Sequence, residues 1–381
     1  MIIHGLELWL SRSQHRLLSL RLYQKNDWSQ NNNSADEKWW NRAASFGSDV
    51  LPFIIAHSQR WERVELNIPI SMTHTLSDPN EGLANLTHLV LGSTQEDWGP
   101  GDDDPITLFS QAPRLRNLHL ILETENNLNL GRLDRVALPF HQLTSLTGTL
   151  FGALECLVVL SKTPALVECD FHVGPTIPEG NFSPGTTLPC LKSLKLWSTA
   201  RNVHHSAVLH HLTLPILETL VVGRGETRLV PALRSLVDRS HCNIRHFSCG
   251  STVDREELLE CLYTLPMLLT LELLDLSQTD AVELIRRLDF ELDQTAGLVP
   301  HLESIALQCR RSHQDGDFSF AALHRLLDTM AARPLPLRNF RLTWTTSLLP
   351  REPDTQEVTA FKAIAGNGMT IYIGTEEMSW V

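Results

Sequence analysis

Two histidine-rich stretches and one acidic stretch are where this chain could do chemistry. HHSAVLHH, residues 204–211, offers four imidazoles, the ligand type that zinc takes in tetrahedral sets. The His204/His210 and His205/His211 spacings share no helix face, and no acid or cysteine joins them, so no metal site is expected there. HCNIRHFSC, residues 241–249, sets His246 three places before Cys249. On a strand, residues an odd number apart point to opposite faces, so the two should diverge rather than chelate. The acidic run EDWGPGDDDP, residues 96–105, lacks the glycine and glutamate placement of a calcium loop and reads as an exposed connection. No G-x-S-x-G, P-loop, H-E-x-x-H or EF-hand pattern occurs, and no G-x-G-x-x-G follows a strand. The expectation is a chain that is not an enzyme, with no cofactor and no metal.

A second group of residues suits recognition. Trp197, expected to be exposed, stands beside Lys195 and near the strand that carries Glu168, Asp170 and His172, and such a tryptophan is the kind of anchor that dominates protein interfaces. With His119 and His246 these form the candidate partner-binding patch. The opposing reading is that Trp197 folds over a neighbouring loop and the charges are merely solvated.

These residues owe their placement to a repeated strand. Near-copies of LPCLKSLKLWS occur as APRLRNLHLIL, LPILETLVVGR, LPMLLTLELLD and VPHLESIALQC. The shared template, L-x-x-L-x-L with other apolar residues allowed, begins at Leu86, Leu115, Leu143, Leu166, Leu191, Leu217, Ile244 and Leu268. The average step is about 26 residues, inside the range of roughly 20–29 for leucine-rich repeats. Longer steps lead to Leu302 and Leu337, and weaker starts fall at Leu17, Trp61 and Gly368. Between the strands lie helical patterns such as LECLVVLSKTPAL, LVPALRSLVDRSH, REELLECLYTLP, AVELIRRLDFEL and FAALHRLLDTMAARP, with Asp254 as an N-cap and prolines after several helices.

A strand and helix of this size cannot bury their apolar faces alone, so stacking is required. The spacing predicts an α/β leucine-rich-repeat solenoid, with a curved parallel sheet on the concave side and helices on the convex side. It reads as one irregular domain over 1–381, with a polar loop at about 23–43, the most regular repeats at about 86–276 and longer repeats over 277–381. The first, fourth and sixth template places should be core. The alternate places, which include every candidate above, should face outward.

Composition adds bounds. A net charge of −12 disfavours phosphate backbones and anionic lipid, so neither a nucleic acid nor a membrane is expected as partner. No apolar run approaches the roughly 18 residues of a membrane span. Glu7 interrupts the first apolar stretch, which argues against a signal peptide, and the seven cysteines form no CxxC pair. They read as reduced core thiols in a cytoplasmic or nuclear protein.

The segments LELWLSRS, LPFIIAHSQRWERVEL, LTHLVLGS, APRLRNLHL, LPFHQLTSLTGTLF and HLESIALQC together resemble the F-box proteins with degenerate leucine-rich repeats found in mushroom-forming fungi. That resemblance covers nearly the whole chain. It implies a receptor whose amino-terminal F-box docks a Skp-type adaptor of a cullin ubiquitin ligase while the repeats select a protein substrate. Two features depart from it. Only 16 residues precede the Leu17 start and no L-P-x-E-I opening is visible, as if the F-box were lost or the gene model began downstream of it. No regular asparagine follows the template, so the usual backbone-bridging asparagine ladder is not expected. A Skp-type partner is therefore expected only if an F-box lies upstream. The alternatives are a structural or decaying paralogue without ligase docking, and an enzyme on an α/β framework.

Overall fold

The computed structural model describes residues 2–23, 50–67, 82–93, 106–122, 136–174, 185–198, 205–223, 229–250, 255–284, 299–310, 318–332, 337–345 and 351–381. The polar segment 24–43, the acidic stretch 96–105, Asp254 and His204 lie outside the described residues, as does most of AVELIRRLDFEL. The chain falls into two compact units, Met1–His172 and Val173–Val381.

In the first unit a helix, α1 (Ile2–Ser13), precedes β1 (Leu18–Tyr23), β2 (Trp61–Asn67), β3 (His88–Ser93), β4 (Asn117–Leu122) and β5 (Ser145–Phe151). Helix α2 (Ala153–Ser161) and β6 (Glu168–Val173) follow. The strands lie side by side in chain order, and β1 to β5 pair in parallel.

The second unit contains β7 (Thr186–Thr187), β8 (Ser193–Trp197), α3 (His205–His210), β9 (Leu212–Thr213), β10 (Thr219–Val222), α4 (Leu229–Ser240) and β11 (His246–Gly250). It continues through α5 (Arg255–Tyr263), β12 (Thr270–Ser277), β13 (Ser304–Arg310), α6 (Phe320–Ala331), β14 (Asn339–Trp344), α7 (Thr355–Gly366) and β15 (Thr370–Thr375). Here the order is β8-β10-β11-β12-β13-β14-β15, all parallel, with β7 and β9 forming a separate parallel pair. Successive helices pack on one another, α3 on α4, α4 on α5 and α6 on α7. Parallel strands stacked in chain order with intervening helices make the fold an α/β leucine-rich-repeat solenoid, as the spacing predicts.

The local chemistry of each layer repeats. The template leucine's N–H donates to the carbonyl three residues upstream, as in Leu115 to Ala112 (3.1 Å), Leu217 to Leu214 (3.2 Å) and Leu268 to Leu265 (3.1 Å). This is a β-turn, and Pro113, Pro215 and Pro266 hold its second position, where a fixed φ is favourable and no N–H is needed. All the regular template starts from Leu86 to Leu268 are at most 2 % exposed. One residue after the template start, a single carbonyl accepts two N–H groups from the next layer. Thr87 O takes Arg116 N and Asn117 N (both 3.1 Å), and Glu218 O takes Arg245 N (2.8 Å) and His246 N (3.0 Å). The same pairing recurs at Arg116, Thr144, Lys192, Arg245, Leu269 and Glu303. Backbone thus links successive layers at the entry to each strand.

Two weak starts shift by one residue. Leu17 is 48 % exposed, and Leu18, at 2 %, takes the core place. A register irregularity between Leu18 and Ser19 lets Leu18 face Trp61 while Ser19 faces Arg63. At the other end Gly368 has φ +100°, a left-handed conformation that glycine adopts at little cost, and Met369 fills the core. The last layers use aromatics: Trp344 meets Phe318 edge-on at 5.4 Å and Trp380 at 5.4 Å. The outer edge of β15 is closed by the following turn, through an antiparallel bridge from Gly374 to Ser379 and Trp380 N donating to Ile373 O (2.7 Å). Capping an edge strand removes a template for unwanted pairing.

Helices α1 and α7 are additions to the sequence reading. Helix α7 opens with a capping box: Asp354 accepts from Gln356 N and Glu357 N (both 2.9 Å), and Glu357 accepts from Asp354 N (2.9 Å).

Candidate functional site

Each strand presents one set of side chains to the core and the alternate set to an open face, and all seven candidate residues take the open face. They divide between the two units.

In the first unit Glu168, Asp170 and His172 alternate along β6 with the buried Cys169, Phe171 and Val173. Glu168 and His172 are exposed and Asp170 is half-buried. His119 lies on β4 opposite Val90 on one side and Thr147 on the other. Its basicity is lowered, chiefly by burial and secondarily by His172, while Asp170 and Glu65 pull the other way. Its Nε2 is buried without a hydrogen-bond partner. The ring therefore favours its neutral form. His88 on β3 is also depressed, first by burial and then by Arg63.

In the second unit Lys195 and Trp197 are half-buried on β8 and His246 is exposed on β11. The register runs from Ser193 through Thr219, His246, Thr270, Ser304 and Asn339 to Thr370, a row of hydroxyls and amides with one imidazole. The next row outward runs Lys195, Val221, Ser248, Glu272, Ala306, Arg341, Tyr372. At its end the Arg341 guanidinium lies 4.8 Å from the Tyr372 ring centroid, a cation–π contact. Trp197 stands beside Gly223, whose N–H donates to Leu196 O at 2.7 Å.

The histidine stretches behave as separate residues. His205 is 2 % exposed, His210 exposed and His211 half-buried, with His211 depressed first by burial and then by His210 and Arg239. Cys249 is buried in the core while His246 faces outward, so they diverge. Among the described residues no group of three or more histidines, cysteines or acids is placed to hold a metal ion. All seven cysteines are free and six are buried, with Cys190 exposed at the Pro189 turn. Burial, with Glu257 and Glu260 nearby, pushes the Cys261 thiol up to about 12.

One feature escaped the sequence reading. In the second unit a cavity of about 500 Å³ opens at the turns between layers, lined by Val237, Asp238, His241, Cys242, Thr264 and Met267 among others. No helix among the described residues is long and apolar enough to cross a membrane.

No family model matches the chain, and no curated protein matches it. Among solved structures it is similar to a crystal structure of a protein from Bacteroides fragilis, with 14 % identity and a TM-score of 0.39, covering 92 % of this chain and 87 % of that one.

Proposed function

We propose that this chain is a non-catalytic protein-interaction scaffold whose open sheet faces select a protein partner, similar in kind to the substrate-recognition part of an F-box ubiquitin-ligase receptor. The observation that supports the reading is the division of labour along every template strand. Core places are filled by buried apolar side chains, mostly leucine with isoleucine, valine, phenylalanine and cysteine, while alternate places carry a mixed set of hydroxyls, amides, charges, some aliphatics and Trp197. A surface of mixed polarity with an aromatic anchor is the composition of a protein interface. On this reading the protein works in the cytoplasm or nucleus, and a Skp-type adaptor joins only through an F-box.

The test is quantitative affinity purification of the chain and two variants. Trp197→Ala with Lys195→Ala should reduce the most enriched partner by at least about tenfold, the range of an interface hot spot. Arg234→Ala with Arg325→Ala, on exposed helix positions, should leave it unchanged. Full retention by the first variant overturns the proposal, and direct capture of a Skp-type adaptor by this chain overturns its docking part.

A further inference from the structure

We propose that the cleft between the ends of α4 and α5 in the second unit is a ligand site for a primary ammonium group on an apolar stem. It stands on helix ends and strand entries rather than on the open sheet face, so it is independent of the scaffold reading.

The cleft lies where one layer departs from the pattern of the others. Of the regular template starts from Leu86 to Leu268, Ile244 alone makes no bond from its N–H to the carbonyl three residues upstream among the described residues. The residue at that upstream place is buried in the other layers, as at Ala112, Leu188, Leu214 and Leu265. Here it is His241, which is exposed and has φ +50°, the left-handed conformation that glycine usually supplies just past a helix end. Cys242 stands where Pro113, Pro189, Pro215 and Pro266 hold the turn. Without that turn the layer leaves space. Residues 241–244 form one wall of the cavity of about 500 Å³, and the regular turn of the next layer, Thr264 to Met267, forms another. The volume is that of a small-molecule pocket.

Its electrostatics favour positive charge. Helix α4 ends at Ser240 and α5 at Tyr263, and the last carbonyls of a helix carry partial negative charge. Asp238 lies in the last turn of α4, where that same field disfavours an acid. Its carboxylate is exposed on the cleft wall and makes neither an ion pair nor a hydrogen bond among the described residues. Arg239, the base of that turn, is directed to the preceding layer, donating to Leu209 O (2.9 Å) and Leu212 O (3.0 Å). No lysine or arginine is among the described residues that line the cleft. An ammonium group there pairs with Asp238, and the His241 and Asn243 side chains in the lining offer further acceptors. The stem lies against Val237, Pro266 and Met267; Met267 is 42 % exposed, and its flexible thioether adapts to stems of different shape. A missing turn, a left-handed histidine and an acid set against a helix dipole each work against stability, and their concurrence at one cavity marks a place kept for a ligand.

Two sources carry such a group, a free arylalkylamine and the lysine side chain of a peptide. Four probes separate charge and source: phenethylamine, phenethyl alcohol, phenylacetate and acetyl-lysine-methylamide. Binding to the full-length protein is followed by isotope-labelled methionine methyl resonances, with Met267→Leu assigning the relevant one. Phenethylamine should move the Met267 signal and bind about fivefold more tightly than the alcohol, as expected for one exposed ion pair aided by helix ends, with phenylacetate weaker than both. Asp238→Asn should reduce the preference for amine over alcohol to about twofold or less. Tighter binding of acetyl-lysine-methylamide than of phenethylamine assigns the site to a lysine side chain, and the reverse order assigns it to a free amine. A Met267 signal unmoved by either ammonium probe at about 10 mM, or a preference for amine that survives Asp238→Asn in full, overturns the proposal.

Discussion

Leu220→Ala is the sharpest test of the repeat as a core specification. Leu220 is fully buried and lies between Leu194 and Phe247 in the register of β8, β10 and β11, both at most 1 % exposed. Truncation removes three carbons, worth about 0.8 kcal/mol each in lost transfer energy, and leaves a cavity that parallel backbones joined by hydrogen bonds cannot easily close. The expected cost is about 3 kcal/mol, within the roughly 2–5 kcal/mol of such substitutions. Native-state hydrogen exchange reads this directly: amides of Val221 and Val222 should open about 150-fold more often. Thr219→Ala, one residue away on the open face, should change exchange by about twofold at most. A loss below about 1 kcal/mol at Leu220, or an equal loss at Thr219, would refute the assignment of faces on which the account rests.

Other outcomes follow from the same geometry. Ser248→Ala removes a buried hydroxyl without a partner, so thermal or urea unfolding should show it neutral or more stable by about 1 kcal/mol; a loss of that size would reveal a hidden hydrogen bond. Gly223→Ala should destabilise, because backbone atoms crowd its Cβ, whereas Gly366→Ala, in α7 with nothing within 4 Å, should stabilise by about 0.5–1 kcal/mol. Unfolding curves showing the reverse order would contradict the glycine argument. The Glu357 carboxyl is held below its usual range by Arg351, first through their hydrogen bond. Between the depressed folded value and the ordinary value of about 4.3, the unfolded chain binds more protons. The stabilisation is therefore complete above the ordinary value and lost as pH falls through the folded one. Amide exchange at Gln356 and Glu357 should accelerate across that window, and Arg351→Gln should narrow it.

Most of the architecture was legible because one physical requirement recurs. A buried leucine, a strand alternating faces and a proline-marked turn leave the same letters each time, as at Leu115, Leu217 and Leu268. The misplacements fall where that requirement weakens. At β1 a register irregularity moved the core place from Leu17 to Leu18, and a pattern of spacings holds no information about such a bulge. At the last repeat a left-handed glycine took the template's first place and Met369 its core role. Helix α7 had a signal, Asp354 with Glu357 three residues on, which a search tuned to leucine passed over. The candidate residues Glu168, Asp170, His172, His119, Lys195, Trp197 and His246 could be placed on a face by counting, but their burial could not. His119 is depressed and Trp197 half-buried because of neighbours from other strands, known only once register is fixed. Gly223 and Gly250 follow VV and SC in the sequence, yet only the alignment of β10 with β11 shows that each comes directly after the paired Val222 and Cys249.

Photo-crosslinking with the full-length protein and its most enriched partner tests the central claim most directly. A benzophenone side chain replaces Trp197 or His172 on the open faces, or Arg234 or Arg325 on the helices. The account predicts adducts from the sheet positions and none from the helix positions. Adducts formed only from Arg234 or Arg325 would contradict it.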